Sequence, residues 1–158
     1  NTLFVITGDH TNMTDHAEYQ TDLGGFCSPV IFYDPSADLL PRPAMVDAVA
    51  QQTDVMPTVL GLLRYAKPYV AFGCDLMHTP PEQTWAVNYL NGTYQYVQNG
   101  YVLQFDGQRT TAVYALTDTL MRRNLLGHVP RQARMERRLK GIIQQYMHRM
   151  TTDSLTVR

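Results

Sequence analysis

The sequence predicts an α/β fold, and three observations carry that prediction. An apolar run at residues 3–7 stops at Gly8 and is followed by Asp9 and His10. Four short aromatic and β-branched segments lie between residues 85 and 116, separated by Asn-Gly or Asp-Gly pairs. An amphipathic stretch spans residues 131–150.

Taken in order, residues 3–7 read as a buried core strand. Residues 8–25 read as a polar loop, and a loop that long inside a compact domain is usually functional. Residues 28–33 form a second apolar run closed by Asp34 and Pro35, hence a second buried strand, and Pro41-Arg-Pro43 is a connector. Residues 45–51 suit a short helix or strand. Residues 54–63 read as a helix with Asp54 as its cap, Pro57 in its first turn and Val55, Val59, Leu62 and Leu63 as its inward stripe. Gly61 in that helix implies that something packs close against it.

The segments 85–90, 94–98, 101–105 and 111–116 are predicted to form an antiparallel meander, because Asn91-Gly92, Asn99-Gly100 and Asp106-Gly107 are hairpin turns. Thr117 suits the cap of a short helix through Asn124. Pro130 suits the first turn of a final helix, whose inward stripe is Met135, Leu139, Ile142, Ile143, Tyr146 and Met150. The organisation expected is an α/β core over 1–80, antiparallel strands over 84–116 and terminal helices over 117–158.

A chain of 158 residues with 44% hydrophobic content fits one domain with a real core. No apolar run approaches the roughly 18 residues of a membrane helix, and no signal peptide is visible. The chain begins at Asn1, one residue before a strand, which reads as a fragment of a longer protein. Cys27 and Cys74 lack metal-binding spacing; they suit one disulfide or two thiols, with buried thiols the default. From Arg122 onward the charge is +7 and before it −8. The basic end reads as a solvated helix face complementing an acidic body, since stacking aromatics are not interleaved with its charges; no nucleic-acid partner is expected. There is no Gly-x-Ser-x-Gly elbow, no phosphate-cradling glycine loop and no Cys-x-x-Cys pair.

Asp9 and His10 stand where a strand delivers side chains to the edge of a sheet. A carboxylate and an imidazole together suit a borderline divalent metal. On the dipeptide alone, an ordinary strand end with Asp9 as a turn former explains them as well. The succession Thr7-Gly-Asp-His10, Pro29-Val-Ile-Phe-Tyr-Asp-Pro35, Gln52-Thr-Asp-Val-Met-Pro-Thr-Val-Leu-Gly-Leu-Leu63 and Phe72-Gly-Cys-Asp-Leu76 resembles the C-terminal part of the sulfatase branch of the alkaline phosphatase superfamily. It is most similar to the lipoteichoic acid synthase-like phosphoglycerol and phosphoethanolamine transferases.

The resemblance implies the C-terminal portion of an alkaline phosphatase-like sandwich, with Asp9 and His10 as two metal ligands. The metal would be Mn, Zn or Ca. The nucleophilic Thr and an acidic ligand lie upstream in that family, so no catalytic nucleophile is expected here and the isolated chain should be inactive. His16 becomes a substrate-binding candidate, against a plain surface histidine; Thr11, Asn12 and Asp15 are weaker ones. Thr11 departs from the Gly that many relatives carry there. Asp75 is expected to be a structural turn, and His78, His128 and His148 lie outside the site.

By resemblance the substrate is a phospholipid or another phosphate or sulfate ester, and the acceptor a glycan or lipid. The parent would be anchored in the inner membrane through its missing N-terminal part, with the catalytic domain periplasmic or extracytoplasmic. Two alternatives stay open: a sulfatase hydrolysing sulfate esters, and a non-catalytic module whose aromatic hairpins bind glycan or protein.

Overall fold

The computed structural model describes residues 2–11 and 15–157. Its centre is a four-stranded antiparallel meander with a long helix on one face, as the mixed α and β patterning predicts. The strands are β3 (Ala86–Leu90), β4 (Thr93–Gln98), β5 (Tyr101–Phe105) and β6 (Thr110–Ala115), each paired with its sequence neighbours. At the first two turns both central residues take positive φ: 49° and 81° at Asn91 and Gly92, 52° and 77° at Asn99 and Gly100. That is the backbone whose twist matches a two-residue hairpin, and Asn-Gly adopts it most readily. The third turn is longer. There the Asp106 carboxylate accepts the N–H groups of Gln108 and Arg109, and the register shifts between Gln104 and Phe105.

Alternation along the strands makes two faces. On one, Tyr96, Leu103, Phe105 and Val113 meet Met135 and Leu139 of the terminal helix α2 (Gln132–Thr151). On the other, Ala86, Val97 and Val102 are covered by Leu23 and Val49 from the N-terminal half. The stripe expected along α2 holds for Met135 through Ile143. Tyr146 and Met150 are exposed, because the core cluster stops at Ile143. Tyr146 instead meets Phe72 edge-on at 5.3 Å.

The helix expected over 117–124 does not form; the segment is a series of turns. The Asn124 amide oxygen accepts the Val113 N–H, and the Leu125 N–H donates to the Val113 carbonyl. The chain here spends its polar groups on the free edge of β6, not on a helix of its own. Residues 45–51 likewise form neither helix nor strand. Some of their bonds run to distant partners: the Val49 N–H donates to the Thr84 hydroxyl, and the Gln51 amide oxygen accepts the Val87 N–H.

The two N-terminal strands, β1 (Phe4–Thr7) and β2 (Val30–Tyr33), pair antiparallel with Phe4 opposite Tyr33 and Ile6 opposite Ile31. The expectation of buried strands is corrected here. These four side chains share one face, and they are 46%, 54%, 54% and 48% exposed for Phe4, Tyr33, Ile6 and Ile31. The two-stranded ribbon lies in a sheet of its own, and among the described residues no element forms a second layer over that face.

Helix α1 (Val55–Leu62) follows a short 3₁₀ turn, Gln52–Asp54. Asp54 does not cap α1 with its side chain, as the sequence suggested. Its carboxylate accepts the Gln51 N–H at 2.9 Å and the Cys74 N–H at 2.7 Å. Fully buried, it is held above its ordinary pKa by desolvation in spite of those bonds. Pro57 and Thr58 are the buried residues of α1, while Leu63, expected inside, is exposed. The Thr58 hydroxyl donates to the Asp54 carbonyl and accepts the Leu76 N–H. Gly61 does permit a close approach: a Cβ there would collide with the Asp75 carboxylate. That carboxylate also accepts the Met77 N–H and meets His78 Nδ1 at 2.7 Å, a packed turn as expected.

Both cysteines are free, so the disulfide alternative does not form. Cys27 is exposed, not buried. Burial and the neighbouring Asp54 push the half-buried Cys74 thiol up to about 11.

A candidate half metal site

β1 ends at Thr7, and Gly8 carries the chain into Asp9 and His10. Three contacts fix this corner. The Ser28 hydroxyl donates to the Gly8 carbonyl at 3.1 Å, and the Gln52 amide donates to the carbonyls of Gly8 and Asp9 at 2.9 and 3.1 Å. Gln52 brings the start of α1 to the strand end. Nothing in its local sequence marks it for that, since its partners lie more than forty positions away in the chain. On the far side, Thr11 donates its N–H to the Gly25 carbonyl and its hydroxyl to the Gly24 carbonyl. Thr11 is therefore a staple across the loop. The loop is less irregular than expected, with 3₁₀ turns at Ala17–Gln20 and Gly24–Phe26.

The Asp9 and His10 side chains stand out into solvent, 89% and 66% exposed. His10 Nδ1 lies 2.8 Å from the Thr11 carbonyl oxygen. A carbonyl can only accept, so Nδ1 carries a proton, and Nε2 is the ring nitrogen left to face a ligand. Nε2 lies 3.6 Å from Asp9 Oδ2. Two ligands each about 2.0–2.2 Å from a shared ion, at a tetrahedral angle, stand roughly 3.4 Å apart. The 3.6 Å separation is close to that of two ligands sharing one ion, and the bond to Thr11 orients the imidazole from its far side.

The pair is not a complete site. Among the described residues, no three His, Cys, Asp or Glu side chains gather where they could hold a metal. His16 precedes the 17–20 turn and makes no side-chain cap bond to it; its Nδ1 lies 3.8 Å from Glu18 Oε1 and its ring is edge-on to Tyr19. It does not complete a three-ligand group with Asp9 and His10. Asp15 is exposed, and Asn12 lies outside the described residues. His148 is exposed on α2, and His78 belongs to the Asp75 turn.

No protein-family model, curated protein or solved structure compared with the chain matches it. Among the described residues no helix is long and apolar enough to cross a membrane.

Proposed function

We propose that this chain is the C-terminal part of a sulfatase-like, metal-dependent transferase that moves phosphoglycerol or phosphoethanolamine from a phospholipid to a glycan or lipid acceptor. The observation that carries the reading is the Asp9–His10 pair: a carboxylate oxygen and an oriented imidazole nitrogen 3.6 Å apart at a strand end. The open face of β1 and β2 supports it, being an apolar surface suited to a further layer of structure. In this reading Asp9 and His10 supply two ligands, and an upstream segment supplies the nucleophilic Thr and the remaining acidic ligand. His16, in the following loop, binds a phosphate oxygen or protonates the leaving group. A bound Mn, Zn or Ca ion would lower the nucleophile's pKa and offset charge on the transferring phosphoryl group. The catalytic domain would face away from the cytoplasm, on a parent anchored in the inner membrane.

The test is to read the coding sequence upstream of Asn1 and assay the longer protein with a fluorescent phosphatidylglycerol. The expected result is metal-dependent transfer, lost in Asp9→Ala and in His10→Ala. An upstream Cys or Ser with hydrolysis of sulfate esters would replace the transferase by a sulfatase. Activity that survives both substitutions would remove the reading altogether.

A further inference from the structure

We infer that the groove between α2 and the meander binds a phosphate-bearing ligand that has a ring or other apolar portion. The groove is an open depression of about 530 Å³; Phe72 and Trp85 give it aromatic surface, and the buried Tyr96 lies at its floor. Along α2 it is lined by Arg138, Ile142, Gln145 and Arg149, spaced so that they share one side of the helix. An apolar cleft with a few convergent polar groups is the usual form of a small-molecule site.

The two guanidinium groups are held but not neutralised. Arg138 Nη1 donates to Gln98 Oε1 at 2.9 Å, and the buried Tyr96 hydroxyl donates to the same oxygen at 3.0 Å. Arg149 Nη1 donates to the Ser154 carbonyl at 2.8 Å. Neither arginine forms an ion pair: the pairs among the described residues involve His10, His16, His78 and Lys140. Arg138 also interacts with the Tyr96 hydroxyl, and among the described residues no carboxylate meets either fork. A planar fork of donors matches phosphate oxygens in pairs. Eleven residues of helix separate Arg138 and Arg149 by about 16 Å along the axis, so the ligand lies lengthwise with an anionic group at one end or both.

Gly141 is the independent observation. It sits inside α2 and lines the same groove. A glycine inside a helix costs about 1 kcal/mol relative to alanine. Close packing does not require it, because a Cβ built there meets nothing within 4 Å. A bare stretch of helix wall beside an aromatic surface and two unpaired guanidiniums leaves room for a ligand against the backbone.

Trp85 is the one tryptophan of the chain and lines the groove, so its fluorescence reports occupancy directly. The probes are phenyl phosphate in solution and vesicles of phosphatidylglycerol against phosphatidylcholine. A saturable change with phenyl phosphate identifies a free phosphate ester. A change with phosphatidylglycerol vesicles alone identifies a lipid headgroup. Phenyl phosphate carries one phosphate and reaches one end of the groove, so one of Arg138→Gln and Arg149→Gln should weaken its binding roughly tenfold or more. Gly141→Leu should abolish it while leaving the melting temperature unchanged or raised, which separates a filled groove from a damaged fold. Asp9→Ala should bind as the parent chain does, keeping this site distinct from the proposed metal site. No fluorescence change with either probe would overturn the inference, as would titrations unchanged in both arginine variants, or unchanged in Gly141→Leu.

Discussion

The β1–β2 ribbon and the β3–β6 meander are built from the same kind of sequence, short runs of aromatic and β-branched residues, and meet opposite fates. In the meander Tyr96, Leu103, Phe105 and Val113 are closed off by α2. In the ribbon Phe4, Ile6, Ile31 and Tyr33 remain about half exposed. Strand propensity sets neither outcome; the presence of a second layer does. The candidate chemistry sits on the open element, and the stability of the chain resides in the closed one.

The comparison breaks most directly in the core. Leu139 is fully buried against the meander, so Leu139→Ala should destabilise the chain by about 2–5 kcal/mol in thermal or urea unfolding. Next comes Asp54, on the segment that joins the two regions. Asp54→Ala strands the N–H groups of Gln51 and Cys74 and should cost roughly 2–4 kcal/mol by the same measurement. A loss below about 0.5 kcal/mol would mean that this junction is not a fixed part of the fold.

A smaller effect is expected at the end of β2. The Asp34 carboxylate accepts the N–H groups of Leu39, Ser36 and Leu40 and the Ser36 hydroxyl, which hold its pKa down at about 2, below the ordinary 3.8. A depressed carboxyl favours the folded turn when ionised. Its contribution is therefore complete above the ordinary value and is lost as pH falls through about 2. The protection factor of the Leu39 amide, measured against its intrinsic exchange rate, should fall over that window, and Asp34→Asn should remove the dependence.

The smallest effects should fall on the ribbon. Ile6→Ala, Asp9→Ala and His10→Ala should each shift stability by no more than about 0.5 kcal/mol. A loss at Ile6 comparable with that at Leu139 would show the ribbon face to be covered in solution. Titration with Zn²⁺ should broaden the His10 ring resonances in NMR spectra, and Asp9→Ala should weaken that response.

The meander was legible because its information is local. Asn91-Gly92 and Asn99-Gly100 fix two turns by backbone preference alone, and Met135 through Ile143 repeat at the helical period. The positions of β1 and β2 were legible for the same reason; their exposure was not, because burial depends on what packs above them. The turns over 117–124 were hidden because Asn124 finds its partner on β6, and Asp54 looked like a helix cap because its partner at Cys74 is distant in sequence. At the candidate site, the side-by-side Asp9 and His10 could be read from the chain. The Gln52 clamp and the proton on His10 Nδ1 required coordinates.

The order of the meander strands also bears on how the chain reaches its structure. Each strand lies beside the one made just before it, joined through 91–92, 99–100 and 106–109. Closing such short connections sacrifices little chain entropy, and topologies rich in local contacts fold fast. The ribbon must instead bring residue 7 to residue 30 across a long loop. Emerging from a ribosome, the chain exposes its N-terminal strands first, yet the segment best able to nucleate comes from its middle. The meander is thus the expected kinetic seed, and the corner that carries Asp9 and His10 is assembled onto a platform translated after it.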